Sequence, residues 1–377
     1  MWLKIEADVN CEFRITWGNK RGHYPHCYKV GADAIRQCAR NMRAQLELLA
    51  HSCDSQDPGE RFIILKALAK AGESLRYLLF LDRAQPQAMR RLESWFKAEY
   101  DAGDRQLSIQ ADSSIHVPWG LIFDGPLPTA RHDDGGELDE PAQRVREIET
   151  FRGFWSLKFS LSAAQSGNSR PRAQMTRSRE SFGLLSLVNS EVQSEIKHHL
   201  EPAAFADLEQ LLSSPIGKAE DLTKFEELIS AAAQTDILFY FLGHNRNATL
   251  EIGNGKTLDY VAFERLIDSL TNREVAENAD PCGLVFLNAC ESALGDTDIN
   301  LRSASSRYEF CGVIATESIV PRDYAARFGG RFLRALVRQG KTVGEIMGEL
   351  HHDASLWPQS LLYGCYADPD YCIERPA

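Results

Sequence analysis

This sequence predicts an α/β protein whose C-terminal part is built on a mostly parallel central sheet. From residue 182 onwards, short segments that are apolar throughout alternate with segments whose apolar residues recur at helical spacing. The first kind of segment is typical of strands that are buried on both faces. Its regular alternation with helical segments favours a sheet that carries helices on both sides.

The N-terminal part predicts a smaller α/β region. Segments 2–9 and 11–17 alternate polar and apolar residues, so we expect two strands joined by a hairpin turn at Asn10. Three segments with helical spacing follow: 32–53, 60–82 and 86–100. Another strand and a turn then lead to Pro118 and Trp119, which precede a further apolar piece.

Two polar stretches interrupt the pattern and predict loops or linkers. Residues 124–143 are rich in Pro, Gly, Asp and Glu. Residues 163–181 carry four arginines, namely Arg170, Arg172, Arg177 and Arg179. We expect this second stretch to be either a solvated loop or an exposed segment that a protease can cut. We place the domain boundary near the first stretch, which gives an N-terminal region 1–150 and a C-terminal domain 151–377.

The C-terminal domain is expected to alternate strands and helices. The predicted strands are 182–188, 235–244, 282–290 and 311–318. The predicted helices are 190–213 (one or two helices), 221–234, 259–270, 322–340 and 342–354. Helical crossovers of this kind join parallel strands, so the pattern supports a parallel sheet.

Composition limits the classes of partner. The chain has 377 residues, a net charge of −11 and 44% hydrophobic residues. The acidic balance disfavours direct binding of nucleic acid or of an anionic membrane. Neither a membrane-spanning apolar run of about 20 residues nor a signal-peptide core is evident. We therefore expect a cytoplasmic protein without a membrane or nucleic-acid partner.

The cysteine pattern argues against metal and disulfide scaffolds. The chain has nine cysteines at irregular spacings, and no two of them form a C-x-x-C motif. A structural zinc site and a disulfide framework are both disfavoured by this pattern in a chain of this length. We expect reduced, mostly buried thiols and neither a metal nor an organic cofactor.

Two predicted strands end in reactive residues. The strand 235–244 ends at His244, and the strand 282–290 ends at Cys290, with the predicted helix 259–270 between them. A single histidine or cysteine at a strand end more often has a structural role. A strand–helix–strand crossover, however, brings both ends to the same edge of the sheet, where ligand sites of open α/β folds lie. A thiol beside an imidazole is the arrangement that nucleophilic catalysis by cysteine requires.

The sequence around these strands resembles a known family. The segments DILFYFLGHN, CGLVFLNACESALGD and FCGVIATESIVPRDYAARFGGRF are similar to the CHAT domain, a branch of the caspase-like cysteine peptidases in the same clan as separases. NACESA and the later GVIATE block are the most specific of these marks. The resemblance covers about residues 105–355 and includes the segment SIHVPWGLIFDG.

The resemblance implies a fold and a set of catalytic roles. It implies a caspase-like α/β/α sandwich preceded by a smaller, degenerate caspase-like half, to which residues 1–150 are assigned. His244 is the implied general acid and base, and Cys290 is the implied nucleophile. The backbone N–H groups of Asn245 and Cys290 are the implied oxyanion hole. Family members have His-Gly where this chain has His244-Asn245, so the backbone geometry of the hole stays open.

Carboxylates near these motifs are candidates for substrate binding. They are Asp296, Asp298, Glu317 and Asp323. Their charge favours a basic or neutral residue before the scissile bond. Three arginines of the same region keep an acidic preference open, namely Arg302, Arg307 and Arg322.

Three functions are compatible with these motifs. The resemblance implies a cysteine endopeptidase that cleaves a protein through an acyl-enzyme and is activated by a partner or sensor protein, in a bacterial antiviral defence or regulatory system. The glycine replaced by Asn245 favours an alternative, a weak or inactive pseudopeptidase that serves as a protein-binding scaffold. A small-molecule hydrolase is a third option, although the sequence has no G-x-S-x-G motif.

Overall fold

The computed structural model describes most of the chain. The residues outside the description are 9–11, 53–56, 81–84, 113, 130–138, 166–175, 178–181, 214–215, 220, 232–235, 247–248, 254–255, 272–282, 294–300, 302–311 and 375–377. The chain divides into two compact units. Unit 1 comprises Met1–Ser169 and His351–Leu361, and unit 2 comprises Arg170–Leu350 and Leu362–Ala377. The boundary predicted at residue 150 falls inside unit 1 and stays a prediction about separate domains.

Unit 1 is built on a mixed sheet with the strand order β3-β2-β1-β4-β5. Its strands are β1 (Trp2–Asp8), β2 (Glu12–Asn19), β3 (Gly22–Gly31), β4 (Gln106–Ala111) and β5 (Ser160–Gln165). Its helices are α1 (Ala32–His51), α2 (Pro58–Leu79), α3 (Pro86–Asp101), α4 (Glu140–Thr150) and α5 (Trp155–Lys158). Strands β1 and β2 pair antiparallel, as the predicted hairpin requires, while the turn at Asn10 lies outside the described residues. Strands β1, β4 and β5 are parallel.

The sequence prediction missed four elements of unit 1, namely β3, α4, β5 and the short helix α5. Strand β3 lies at an edge of the sheet, and Pro25 within it is compatible with an edge position because that backbone needs no donor there. Helix α4 begins inside the predicted loop 124–143, because Asp139 accepts a hydrogen bond from the backbone N–H of Ala142 and Pro141 fits the first turn. Strand β5 extends into the predicted loop 163–181 by pairing with β4.

A buried ion pair joins two helices of unit 1. Arg61 of α2 donates through Nε and Nη2 to the carboxylate of Glu147 on α4, at 2.9 to 3.1 Å. Both side chains are almost fully buried. Nε1 of Trp357, in the returning segment His351–Leu361, donates to the same carboxylate at 3.2 Å. Several donors therefore compensate the cost of burying this charge.

Unit 2 contains the predicted parallel sheet. Its strands are β6 (Thr176–Arg177), β7 (Phe182–Val188), β8 (Gly217–Ala219), β9 (Asp236–Arg246), β10 (Thr249–Gly253), β11 (Lys256–Leu258), β12 (Leu284–Ala289), β13 (Gly312–Thr316), β14 (Tyr363–Ala367) and β15 (Cys372–Ile373). Its helices are α6 (Ser190–His199), α7 (Pro202–Leu212), α8 (Leu222–Ala231), α9 (Tyr260–Thr271), α10 (Arg322–Gln339) and α11 (Val343–His352).

The main sheet of unit 2 runs in the order β8-β7-β9-β12-β13-β14. The first five strands of this order are parallel, and β14 adds an antiparallel edge. Every residue of β7 and β12 is buried. The prediction of a mostly parallel α/β sheet is therefore confirmed, whereas its finer assignment as caspase-like stays a prediction.

Helices cover both faces of this sheet. The ring of Phe239 on β9 contacts Phe225 of α8 at 5.2 Å and Phe263 of α9 at 6.3 Å between centroids. The next residue, Tyr240, points to the opposite face, because side chains alternate along a strand. That face packs against α10, where Gly329 lies directly over the Tyr240 hydroxyl.

In the part of the chain that the structure describes, no helix is both long enough and apolar enough to cross a membrane.

We expect Arg61→Met to lower the free energy of unfolding by about 3–5 kcal/mol, because it leaves the Glu147 carboxylate buried without its main partner. A denaturant titration of each variant would measure this loss as a lower unfolding midpoint. Arg36→Ala is the matched control, since the exposed Arg36–Asp33 pair contributes less than about 1 kcal/mol. Equal stabilities of the two variants would show that the buried pair contributes no more to the free energy of unfolding than the exposed pair does.

Candidate active site

The two residues proposed as a dyad follow a matched pair on neighbouring strands. Strands β9 and β12 are parallel, and their last paired residues are Gly243 and Ala289. His244 and Cys290 come immediately after this pair, and both are half-buried. Because neighbouring strands lie about 4.8 Å apart, the backbones of the two residues are side by side at the carboxyl end of the β9–β12 ladder, beyond which β9 continues to Arg246. The structure thus brings the backbones of these two predicted site residues together.

The thiol of Cys290 lies against the segment that leads into α10. The backbone N–H of Val320 donates to Sγ of Cys290 at 3.5 Å, and the Val320 carbonyl lies 3.7 Å from the same sulfur. Helix α10 begins at Arg322, two residues later. The N–H donor stabilises a thiolate, whereas the carbonyl accepts a hydrogen bond from the protonated thiol, so both forms of the sulfur have a partner here.

The strand that carries His244 is held by a hairpin. Strand β9 runs two residues beyond His244, to Arg246, and pairs antiparallel with β10, where Glu251 lies opposite His244. A side chain at position 243 would not fit, because a Cβ there would lie 2.9 Å from the Glu251 carbonyl oxygen and 2.7 Å from the ring of Phe241. Glycine therefore allows the close approach that places His244.

Asn189 anchors this hairpin to the end of β7. Its Nδ2 donates to the backbone oxygen of Glu251 at 2.9 Å. Its Oδ1 accepts from the N–H groups of Glu191 and Val192 at the start of α6. One buried amide therefore caps a helix and fixes the strand opposite His244.

Asn288 forms a buried network beneath the strand ends. Its Nδ2 donates to the hydroxyl of Tyr240 at 2.8 Å and to the Ala325 carbonyl at 2.7 Å. Its Oδ1 accepts from the hydroxyl of Tyr363 at 2.6 Å. Burial raises the pKa of Tyr240 and of Tyr363, and neighbouring groups that include Cys290 raise the pKa of Tyr363 further. Both hydroxyls therefore stay neutral, and β9, β12, β14 and α10 are joined through one side chain.

The turn after Cys290 is locked to the end of β13. Glu291 has a left-handed backbone with φ 54°. Oγ of Ser292 donates to the Leu287 carbonyl at 2.8 Å and accepts from the N–H of Thr316 at 2.9 Å. The Thr316 hydroxyl donates to the Ala289 carbonyl. These bonds make the turn a fixed continuation of β12.

Asn245, whose backbone was assigned to the oxyanion hole, also has a side-chain contact with the nucleophile. Its residue surface is 4% exposed. Its Nδ2 donates to the backbone carbonyl of Cys290 at 2.9 Å. In the hairpin register, Asn245 lies opposite Leu250 of β10. Asn245 and Cys290 are therefore neighbours in the structure.

The carboxylates predicted to bind substrate have different environments. Glu317 is only 1% exposed and accepts a hydrogen bond from the hydroxyl of Tyr366 on β14. Asp323 is half-buried in the first turn of α10 and pairs with Arg327 at 3.0 Å. Arg322 pairs with Glu195 of α6. The remaining candidates lie outside the described residues: Asp296, Asp298, Arg302 and Arg307.

Among the described residues, no group of three or more His, Cys, Asp or Glu side chains is arranged to hold a metal ion.

Comparison with known proteins adds no family assignment. No family model matches the chain, and no curated protein matches it. The resemblance to the CHAT domain therefore stays a prediction that depends on the residues quoted above.

Several residues that build this site were not predicted from the sequence. They are Asn189, Tyr240, Asn288, Ser292, Thr316 and Tyr363. Asn288 carried the clearest available signal, since it is a polar residue inside an apolar strand. A buried amide at such a position needs partners, and a search for them begins with polar residues of neighbouring strands.

Two adjacent glycines of α10 provide a matched test of this network. A Cβ at Gly329 would lie 2.7 Å from Nδ2 of Asn288 and closer still to the Tyr240 hydroxyl, whereas a Cβ at Gly330 would meet only Leu208 at 3.7 Å. We expect Gly329→Ala to lower the free energy of unfolding by about 1–3 kcal/mol through overpacking. We expect Gly330→Ala to leave it unchanged or raise it by up to about 1 kcal/mol. Denaturant titration would compare them, and equal effects would contradict the packing described.

Proposed function

We propose that this chain is a cysteine endopeptidase whose dyad is Cys290 and His244. The observation that carries the proposal is the matched position of the two residues after Ala289 and Gly243 at the carboxyl ends of adjacent parallel strands. The Val320 N–H directed at Sγ supports a thiolate nucleophile.

The proposed reaction has two steps. His244 takes the thiol proton, and the sulfur of Cys290 attacks the carbonyl carbon of a peptide bond. The tetrahedral intermediate then collapses to a thioester while His244 gives the proton to the leaving amine. In the second step, His244 takes a proton from water, and the resulting attack on the thioester releases the acid and restores the thiol.

The developing oxyanion needs backbone donors. The N–H of Glu291 is not one of them in this conformation, because it donates to the Ser318 carbonyl at 3.0 Å. We therefore assign this role to the N–H groups of Cys290 and Asn245, as the CHAT resemblance implies. No cofactor is required for this chemistry.

The same resemblance supplies the proposed biological setting. The substrate is a protein, and a partner or sensor protein of the same bacterial defence or regulatory system activates the enzyme. Glu317, Asp323 and Asp296 are the candidates for recognising a basic or neutral residue before the scissile bond. The alternative is an inactive scaffold that binds proteins without cleaving them, and the replacement of glycine by Asn245 is the feature that favours it.

Irreversible peptidyl probes would test the dyad. We expect a cysteine-directed probe that ends in Arg, Met or Asp to label Cys290, with a rate that falls about 10²- to 10⁴-fold in His244→Ala because the general base is lost. Peptide mapping by mass spectrometry would locate the label, and the preferred probe would identify the residue accepted before the scissile bond.

Controls separate the dyad from nonspecific thiol chemistry. Cys290→Ala should remove the label, whereas Cys27→Ala, which alters an exposed cysteine, should not change the rate. A rate that is equal in wild type and His244→Ala would contradict the proposal. If Cys290 stays unlabelled even after the proteins encoded beside this one are added, the result would favour the inactive scaffold.

A further inference from the structure

The peptide group that joins Cys290 to Glu291 is held at both of its polar atoms. Its carbonyl oxygen, on Cys290, accepts the hydrogen bond from Nδ2 of Asn245 at 2.9 Å. Its N–H, on Glu291, donates to the Ser318 carbonyl at 3.0 Å. The first partner belongs to β9, and the second belongs to the segment after β13. The plane of this peptide group is therefore held from both sides of β12, by β9 and by the segment that follows β13.

This peptide group also sits at a backbone position that needs support. Glu291 has φ 54°, a left-handed conformation that residues with a Cβ rarely adopt. Such a conformation persists only where surrounding contacts hold it. Rotation of the peptide plane would relax Glu291, and the same rotation would change ψ of Cys290 and so the backbone to which the thiol is attached. The two hydrogen bonds oppose that rotation.

The orientation of the Asn245 amide is unambiguous. If its oxygen faced the Cys290 carbonyl, two acceptors would lie 2.9 Å apart without a proton between them. Nδ2 must therefore face the carbonyl, and the buried Oδ1 has no hydrogen-bond partner among the described residues. Among the described residues, the bond to the Cys290 carbonyl is therefore the side-chain hydrogen bond that this buried amide makes.

We propose that the side-chain amide of Asn245 is a positioning group for Cys290. By holding the Cys290 carbonyl, it fixes the backbone from which the thiol projects towards Val320. This role belongs to the side chain, is distinct from the proposed oxyanion role of the backbone N–H, and cannot be performed by glycine. The proposal rests on the proposed function only in taking Cys290 as the reactive thiol.

A merely structural role for Asn245 makes a different prediction. A buried hydrogen bond that only stabilises the fold would change the unfolding midpoint and leave the chemistry of the folded thiol unaltered. A positioning role changes the reactivity of Cys290 in molecules that are fully folded. The test must therefore measure the thiol itself.

The experiment measures the alkylation rate of Cys290 by iodoacetamide, quantified by mass spectrometry over the pH range in which thiols and imidazoles titrate. Asn245→Gly removes the amide, and Asn245→Leu keeps a similar shape but has no donor, so it carries the test if the glycine variant does not fold. Leu211→Ala is the control, because it truncates a buried side chain of α7, a helix that carries no residue of the proposed site. Unfolding midpoints are measured for all variants.

We expect both Asn245 variants to react at least about 10-fold more slowly than wild type, with an altered pH profile, because a displaced thiol loses the Val320 N–H that favours its reactive thiolate form. Leu211→Ala should keep the wild-type alkylation rate of Cys290, even though its unfolding midpoint falls about as far as those of the Asn245 variants. Wild-type rates and pH profiles in both Asn245 variants would overturn the proposal.

The alkylation rate of Cys290 in His244→Ala tests the dyad separately. If this variant reacts like wild type while the Asn245 variants are slow, the positioning role holds and the peptidase mechanism fails. If His244→Ala is slow and the Asn245 variants are not, the dyad stands and the positioning role fails.

Discussion

The pairing of β9 with β12 is the constraint on which the rest of unit 2 depends. Side chains alternate along each strand, so a slip of one residue would turn every side chain to the opposite face. In the observed register, Tyr240 and Asn288 share the face that packs under α10. The same register sets His244 level with Cys290. The pairing of β9 with β12 therefore determines both how the sheet packs and which residues lie at its carboxyl end.

Buried polar groups make this register specific. Apolar contacts alone define the strand register weakly, because one hydrophobic contact resembles another. The amide of Asn288 defines the register more strongly, because its partners on β9, α10 and β14 meet only in one alignment. Ser292 and Thr316 repeat the principle at the turn, where each hydroxyl both donates and accepts. In a low-dielectric interior, an incomplete set of such bonds is costly, so alternative arrangements are excluded.

The sequence was sufficient for the strands whose signal is local. Uninterrupted apolar runs predicted β7, β9, β12 and β13, and the helix between β9 and β12 predicted their parallel neighbourhood. The matched level of His244 and Cys290 followed from that topology. Strands β3, β5, β10, β11 and β14 were missed, because they are short, lie at edges or contain mixed residues. Their identity depends on the partner strand, which a local pattern does not contain.

The environment of the carboxylates also depends on distant residues. Nothing near Glu317 in the sequence indicates burial, which results from Tyr366 and Gly364 on a strand far along the chain. The Asn245 contact is hidden in the same way, since a residue that follows a histidine in sequence carries no sign of which carbonyl its side chain will meet. Local sequence therefore located the reactive pair but not the groups that hold it.

Strand β14 links the site to the order in which the chain is made. It follows α10 and α11 in sequence, yet it carries the two tyrosines whose hydroxyls reach Asn288 and Glu317. A nascent chain that has already produced Cys290 and the helix beside it still lacks these donors. The support beneath the strand ends is thus completed only after β14 leaves the ribosome, so translation itself delays the assembly of the cysteine's final surroundings.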